Sequence, residues 1–289
     1  MKLAYRLVGS ALALALGVLP TALSGQGQDM SQVRIIPHQV TSGIYYLEGQ
    51  GGNIGLSVGE DGVVMIDDQF APLTERILAA IRQINSGEIR FVINTHLHGD
   101  HTGGNENLGR MGILILARDA VRVRMMPTAP AVALPVLTFS EPISIHLNGE
   151  QVRTIPVPPA HTDGDSFIHF VNADVLHLGD VFRTVGYPFI DTASGGTLQG
   201  MLDAMGVAIG MAGPNTKIIP GHGTVATRAD AIAYRDVFLD VKTRVAALVA
   251  QGMNYDQIAA ARPTARYDVD KGDPERFLRA VYSEVGGRN

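Results

Sequence analysis

The segment that most constrains this chain is 94–101, which reads NTHLHGDH. It places three imidazoles and one carboxylate within six positions, directly after a short apolar run. Alternate residues of an extended segment point to the same side, so His96 and His98 can hold one ion. Asp100 and His101 can then serve a second ion. Since the chain has only nine His in 289 residues, this cluster predicts a metal site rather than a surface loop.

The chemistry of such a site is limited by the absence of cysteine from the whole chain. Neither a disulfide nor a thiolate ligand can form, so any metal must be bound through nitrogen and oxygen. Imidazole and carboxylate ligands suit zinc. We therefore expect two Zn²⁺ ions as cofactors, with iron and manganese as the alternatives.

Composition narrows the possible partners. The net charge is -5 and charged residues make up 18% of the chain, so no broad basic surface is available for nucleic acid. An apolar fraction of 46% is enough for a large buried core. These features favour a globular protein that acts on a small molecule, and they do not address its oligomeric state.

The N-terminus has the pattern of a cleavable secretory signal. Lys2 and Arg6 precede an uncharged run from Leu7 to Leu19, which is followed by small residues up to Ser24. The run is shorter than the roughly 20 residues that a membrane-spanning helix requires. We predict a signal peptide over 1–24, one mature domain over 25–289, a periplasmic or secreted location, and no membrane association after cleavage.

Hydrophobic periodicity predicts an α/β (α+β) chain. A helix is expected over 73–84 and another over 198–212, and Thr227 is expected to cap a long amphipathic helix that ends at Gly252. Two shorter helices are expected to finish the chain. Strands are predicted at 44–47, 54–58, 63–66, 91–93, 112–116, 143–147, 152–157, 167–171, 175–178 and 218–219. Two β-rich halves with helices suggest a four-layer αββα sandwich.

Three further residues follow apolar runs in the same way as the first cluster. They are His161, Asp180 and His222. Each taken alone has an ordinary structural explanation, such as a hydrogen-bonded histidine or a turn-capping aspartate. Their joint occurrence after the cluster makes them candidate ligands. His169 and His177 lie within predicted strands and are assigned structural roles.

The ordered set of motifs resembles the metallo-β-lactamase superfamily. The resemblance rests on five motifs that occur here in order: Asp67, the segment from His96 to His101, His161, Asp180 and His222. It implies the αββα sandwich. It further implies that His96, His98 and His161 bind one metal, that Asp100, His101 and His222 bind the other, and that Asp180 bridges the two. Asp67 would support the site without binding metal.

The resemblance also implies hydrolysis. Two adjacent divalent ions would lower the pKa of a water molecule, and the resulting hydroxide would attack a substrate carbonyl. Asp100 is expected to orient that nucleophile and is the candidate catalytic residue. Arg183 follows Asp180 by three residues and resembles the basic residue that binds the substrate carboxylate in one β-lactamase subclass. An ordinary surface arginine is an equally good interpretation.

Substrate choice is the least constrained point, because this superfamily cleaves several kinds of carbonyl compound. The predicted export favours a β-lactam or a lactone, and with the five motifs and Arg183 it makes β-lactam hydrolysis the leading hypothesis. Asp180 stands where that subclass has Cys, and His101 supplies an imidazole at a position where that subclass has no imidazole ligand. The ligand set is therefore closer to that of hydroxyacylglutathione hydrolases and lactonases. Lactone or thioester hydrolysis is thus the alternative. An iron-dependent oxidoreductase of the same fold is a remoter one, and a metal-binding protein without catalysis is the remotest.

Overall fold

A computed structural model describes residues 29–286 of the chain. The signal peptide expected over 1–24 lies outside these described residues. Between 29 and 286, none of the helices combines the length and apolar character needed to cross a bilayer.

The first sheet has seven strands in the sequential order β1 to β7. Its first four strands are antiparallel, and β4, β5, β6 and β7 pair in parallel. The strands are β1 Ile36–Thr41, β2 Ile44–Glu48, β3 Ile54–Gly59, β4 Gly62–Ile66, β5 Ile89–Ile93, β6 Leu114–Arg118 and β7 Leu137–Phe139.

The second sheet has five strands in the order β12-β11-β10-β9-β8. All its pairs are antiparallel except β11 and β12, which run in parallel. The strands are β8 Ser144–Leu147, β9 Glu150–Pro156, β10 Ser166–Phe170, β11 Val175–His177 and β12 Lys217–Ile219.

Helices cover the outer faces and the C-terminal segment. They are α1 Thr74–Ile84, α2 Gly99–Thr102, α3 Asn105–Arg110, α4 Asp119–Met125, α5 Leu198–Met211, α6 Arg228–Ala250, α7 Tyr255–Ala260, α8 Ala265–Lys271 and α9 Glu275–Glu284. Thr227 caps α6 through a reciprocal pair of hydrogen bonds with Asp230, which confirms the predicted start of this helix.

The layers follow from the alternation of side chains along the strands. In β4, Val63 and Met65 face the cluster that includes Ile77 of α1, whereas Val64 and Ile66 face the second sheet. The opposite face of the second sheet packs against α5, α6 and α9. Because alternate residues of a strand point to opposite faces, one short strand serves two apolar layers. The predicted αββα sandwich is therefore confirmed.

Several boundaries differ from the sequence prediction. The prediction of two short C-terminal helices is wrong, since α7, α8 and α9 follow α6. Strands β1 and β7 and helices α2 to α4 were not predicted. β1 carries Pro37 and is half exposed, and β7 has three residues, so neither gives a clear apolar alternation. Helices α2 to α4 have four to seven residues, too few for a helical period to be recognised.

Candidate metal centre

The predicted ligands converge at one edge of the sandwich, on loops that follow strand ends. The 94–101 segment follows β5, His161 follows β9, Asp180 follows β11 and His222 follows β12. A strand end fixes the position of the residue that follows it, because the preceding backbone is held by the sheet. Loops from both sheets thus supply one site.

One group of possible ligands contains His96, His98 and His161, whose nearest ring nitrogens all lie within 4.8 Å of one another. His161 Nε2 is 2.9 Å from His98 Nδ1. The ring of His96 stands nearly perpendicular to those of His98 and His161. Three imidazoles this close, without an acid among them, offer the set of three nitrogen ligands that is typical of zinc sites.

A second group contains Asp100, His101 and His222, which also meet within 4.8 Å. His222 Nε2 is 3.2 Å from Asp100 Oδ2, and His101 Nε2 is 3.7 Å from the same oxygen. This group has two nitrogens and one oxygen, as the sequence predicted for the second metal.

Asp180 lies between the two groups. Its Oδ1 is 3.3 Å from His101 Nε2 and 3.2 Å from His222 Nε2, and its Oδ2 is 3.8 Å from His161 Nε2. The two carboxylate oxygens therefore face different groups. This is the position that a bridging ligand requires. The structure thus brings together all seven predicted metal-binding side chains, and their role as ligands stays a prediction.

Unpartnered atoms test whether the site suits a metal. His96 Nε2, His101 Nε2 and Asp180 Oδ1 are buried and make no hydrogen bond within the described residues. Buried polar atoms almost always have a hydrogen-bond partner. Three unpartnered atoms in one cluster therefore indicate a bound group that satisfies them. A cation bound by nitrogen and oxygen satisfies all three, and the donor set fits zinc.

Asp67 supports this centre, as predicted. Its Oδ1 accepts from the Thr95 backbone N–H, and its Oδ2 accepts from the Thr95 hydroxyl and lies 2.7 Å from His101 Nδ1. Both side chains of the Asp67–His101 pair are fully buried. A carboxylate on Nδ1 leaves Nε2 facing the site and raises the basicity of the ring.

Two further supports were not predicted from the sequence. Asp191 Oδ2 lies 2.9 Å from His98 Nε2, which leaves Nδ1 of His98 facing the site. The Phe189 carbonyl oxygen lies 2.8 Å from His161 Nδ1. Asp191 follows no strand and has no characteristic spacing from the ligands, and a carbonyl acceptor is available at any residue, so the sequence gives no signal for either.

Burial strongly affects the imidazoles of the first group. Desolvation, followed by the neighbouring His101 and His161 rings, holds the pKa of His96 well below its usual value. Burial also lowers the pKa of His161 to about 4. Both rings are therefore neutral near pH 7, which is the form that binds metal.

Where a carboxylate faces an imidazole, the charge interactions outweigh burial and set the direction of the pKa shift. Burial by itself would raise the pKa of Asp180, but His101 and His222 outweigh it and the pKa is well below the usual value. Burial would likewise lower the pKa of His101, but Asp67 and Asp180 outweigh it and the pKa is raised. The carboxylates of Asp67, Asp100 and Asp180 thus create a negative environment around His101 that favours a cation.

Arg183 is placed beside the predicted ligands. It lines a cavity of about 460 Å³ together with Asp100, Asp180 and His222, and the rest of the wall includes His98, Gly99 and the aromatic residues Phe70 and Phe189. The backbone of Arg183 pairs with that of His222. Its position is compatible with substrate contact, and its predicted role in binding a substrate carboxylate stays a prediction.

Two packed sheets with a histidine and aspartate centre at their edge define the αββα class of metallohydrolases. The chain belongs to the metallo-beta-lactamase superfamily, whose family model matches residues 47–252. Family, fold and site together make it a metal-dependent hydrolase of that fold.

The sequence identity to individual relatives is low. The chain is 28% identical over 214 residues to a hydroxyacylglutathione hydrolase of Rhodospirillum rubrum, an alignment that covers 72% of this chain and 75% of that protein.

Solved structures with the same fold include the metallo-beta-lactamase from Pontibacter korlensis, with a TM-score of 0.64, 16% identity, and coverage of 72% of this chain and 100% of that one. DIM-1 metallo-beta-lactamase gives a TM-score of 0.62 at 16% identity, covering 72% and 98%. The sec-alkylsulfatase Pisa1 from Pseudomonas sp. gives 0.71 at 17% identity, covering 88% of this chain and 51% of that one.

Proposed function

We propose that this chain is a binuclear zinc hydrolase that cleaves an activated carboxylic acyl bond, with a thioester or lactone as the first candidate. The observation that carries the proposal is the convergence of five imidazoles and two carboxylates around three unpartnered buried atoms. Zinc bound there would supply a Lewis acid and would lower the pKa of water.

The protein groups would do the remaining work. Asp191, Asp67 and the Phe189 carbonyl oxygen orient His98, His101 and His161. The side chain of Asp100 is partly exposed to the cavity. Its Oδ2 can orient a water molecule and accept a proton from it. Phe70 and Phe189 would exclude bulk water from one side of the substrate, which strengthens the electrostatic interactions within the site.

The choice among acyl substrates is supported by the sequence relative. Its name specifies a thioester substrate, and the site of this chain has the all-nitrogen-and-oxygen ligand set with His101 and Asp180 in place. The β-lactamase structures are 16% identical and support the fold alone. Location in the periplasm or outside the cell is part of the proposal and is compatible with any of these substrates.

β-Lactam hydrolysis is the second candidate. The placement of Arg183 at the cavity wall favours it, since a β-lactam carries a carboxylate near the reacting ring. We propose a small acyl compound as the reaction partner in either case.

The experiment is a substrate panel on zinc-loaded protein, with metal content measured on the same sample. The panel contains an acyl thioester, an aliphatic lactone and a chromogenic cephalosporin. We expect about two zinc ions per chain and the highest kcat/KM on the thioester or lactone.

Two variants control the panel. His101→Gln removes one ligand and is expected to abolish turnover, whereas His146→Gln changes an exposed histidine of β8 and is expected to retain it. A single iron per chain without hydrolysis of any member would contradict the proposal and favour a redox role. Equal activity of the two variants would show that the centre does not catalyse the reaction.

A further inference from the structure

His222 is held differently from the other histidines of the metal centre. Each of the other four rings has a partner on the nitrogen that faces away from the site: Thr95 for His96, Asp191 for His98, Asp67 for His101 and the Phe189 carbonyl oxygen for His161. No described residue makes such a contact with the His222 ring, whose Nε2 faces the carboxylates of the site. The position of His222 therefore depends on the backbone that carries it.

Asn53, in the loop between β2 and β3, holds this backbone. It is 3% exposed, and its side-chain amide donates to the carbonyl oxygens of Pro220 at 2.9 Å and Gly223 at 2.8 Å. Its backbone N–H donates to the Gly221 carbonyl oxygen at 2.7 Å. Three hydrogen bonds from one buried residue thus fix the turn on both sides of His222.

The same loop also contacts the other two ligands of the second group. The Gly52 N–H donates to the Asp100 carbonyl oxygen at 3.0 Å, and Gly52 packs against the buried His101 ring. The Gln69 side chain holds the loop in place, since its Nε2 donates to the Gly52 carbonyl oxygen at 2.8 Å. Within the described part of the chain, no hydrogen bond from residues 51–53 reaches a ligand of the first group. The loop therefore supports one metal site and not the other.

A buried histidine outside the ligand set extends this support to Asp180. The Gly179 N–H donates to His177 Nδ1 at 3.2 Å, so the ring proton is on Nε2, which donates to the Asn53 carbonyl oxygen at 3.0 Å. Burial lowers the pKa of His177, which keeps the ring neutral near pH 7 and preserves this arrangement. Asn53 thus connects the turn that carries Asp180 with the turn that carries His222.

We propose that Asn53 and His177 are positioning residues for the second metal ion. They fix Asp180 and His222 relative to each other without contacting metal or substrate. Their loss should weaken binding of the second ion and leave the first ion on its three separately supported imidazoles. This inference rests on the binuclear site of the proposed function. It implies that the centre can change from binuclear to mononuclear without the loss of any ligand.

The test measures zinc binding to wild type, Asn53→Ala and the matched control Asn85→Ala by competition with a chromogenic chelator. The Asn85 amide also joins two backbone groups, donating to the Gly59 carbonyl oxygen and accepting from the Gly87 N–H, at a turn outside the metal centre. We expect wild type and Asn85→Ala to bind both ions equally well. In Asn53→Ala the second ion should bind about 10- to 100-fold more weakly, and the first should keep its wild-type affinity.

His177 provides a second pair of variants, which keeps the test decisive if Asn53→Ala does not fold. His177→Phe retains a ring in the buried position but forms neither hydrogen bond, whereas His177→Gln retains an N–H that can donate to the Asn53 carbonyl oxygen. Binding of the second ion should be weakened in His177→Phe and largely restored in His177→Gln. A general structural role would instead lower the affinity for both ions by the same factor, and that result would overturn the proposal.

Cobalt spectra identify which ion is lost. Co²⁺-loaded His222→Ala and His98→Ala, which lack a ligand of the second and of the first group, provide the reference visible spectra. We expect the spectrum of Asn53→Ala to match that of His222→Ala. A match to His98→Ala would overturn the proposal.

These binding measurements require no turnover, so they separate this inference from the proposed function. Selective loss of the second ion in Asn53→Ala supports the inference even if wild type hydrolyses no acyl compound. Unchanged affinity for both ions in Asn53→Ala overturns it even if wild type hydrolyses a thioester or lactone. Binding of a single ion by wild type also overturns it, because no second site would then exist for Asn53 to support.

Discussion

Asp67 positions the metal centre without belonging to either ligand group. It has a left-handed backbone, φ 61°, which an aspartate or asparagine adopts more easily than most residues. Asp67→Asn therefore keeps the backbone but removes the charge that faces His101 Nδ1. We expect metal affinity to fall by about 10- to 100-fold, measured by competition with a chromogenic chelator.

The adjacent Asp68 provides the control. Burial raises its pKa well above the usual value, so its charged form is disfavoured and an amide of the same shape is a close replacement. Asp68→Asn should retain the hydrogen bond from the Gly104 N–H and change metal affinity much less. If both variants lose affinity equally, the contact with His101 is not the cause.

His161 makes the metal-free protein sensitive to acid. Its pKa is about 4 because of burial, below the ordinary value of 6.5. Between these values the unfolded chain binds a proton that the folded chain does not, so stability is present above pH 6.5 and is lost as the pH falls towards 4. At pH 5 the loss from this residue is about 2 kcal/mol.

Urea unfolding of chelator-treated protein at pH 7.5 and pH 5 measures this loss. His161→Gln should reduce the difference between the two pH values by about 2 kcal/mol, whereas His146→Gln, which changes an exposed histidine, should leave it unchanged. A difference that is identical in all three proteins would assign the acid sensitivity to other groups.

At the scale of elements, the loop between β2 and β3 packs against the metal centre at a glycine, Gly52. A Cβ on Gly52 would lie 2.1 Å from Cε1 of the buried His101 ring. The contact of its Nδ1 with Asp67 and its full burial oppose a movement of this ring. Gly52→Ala should therefore displace His101 and lower metal affinity at least tenfold, an effect comparable to the loss of a support.

Gly99→Ala is the matched control for Gly52→Ala. Gly99 lies in the same site, but a Cβ there meets nothing within 4 Å. Both variants are measured by zinc competition and by circular dichroism. Unchanged affinity in Gly52→Ala would show that the loop can yield, and reduced affinity in Gly99→Ala would show that any added carbon disturbs the site.

The sequence predicts the ligands because each one follows an apolar strand, and such a strand can be recognised from the sequence alone. Their convergence depends on the order of strands in two sheets, which only the resemblance supplied. The residues that orient the ligands from outside the cluster could not be predicted in this way. Asp191 meets His98 across 93 positions, so this contact is fixed by tertiary packing and leaves no local pattern.

At the scale of the whole molecule, the αββα layers were predictable because apolar side chains alternate along the strands and recur along the long helices. The edges were not. Among the described residues, β7 pairs with β6 alone and offers one buried residue, and the helices that follow α6 are six to ten residues long. Short elements at the periphery are stabilised by the surface they pack on, so their sequences carry little periodicity.

The C-terminal helices pack on α6 and on the loop after β11 through an aromatic cluster. Phe277 of α9 is 1% exposed, and its ring lies 5.5 Å from that of Phe238 in α6 and 5.6 Å from that of Tyr187, measured between centroids. The Tyr187 hydroxyl is 2.8 Å from Asp268 Oδ1 in α8. The loop after Asp180 is therefore bound to the C-terminal segment, which is the basis for proposing a single domain.

Phe277→Ala tests this proposal. Loss of the buried ring should lower the free energy of unfolding by about 3 to 5 kcal/mol. In one cooperative domain the whole urea transition moves to lower concentration, and zinc is released in the same transition. Val269→Ala, at a residue that is 93% exposed, should change stability by less than about 0.5 kcal/mol. A separate early transition of α7 to α9 with zinc still bound would show instead that the helices form an independent unit, because the metal centre would then not depend on their packing.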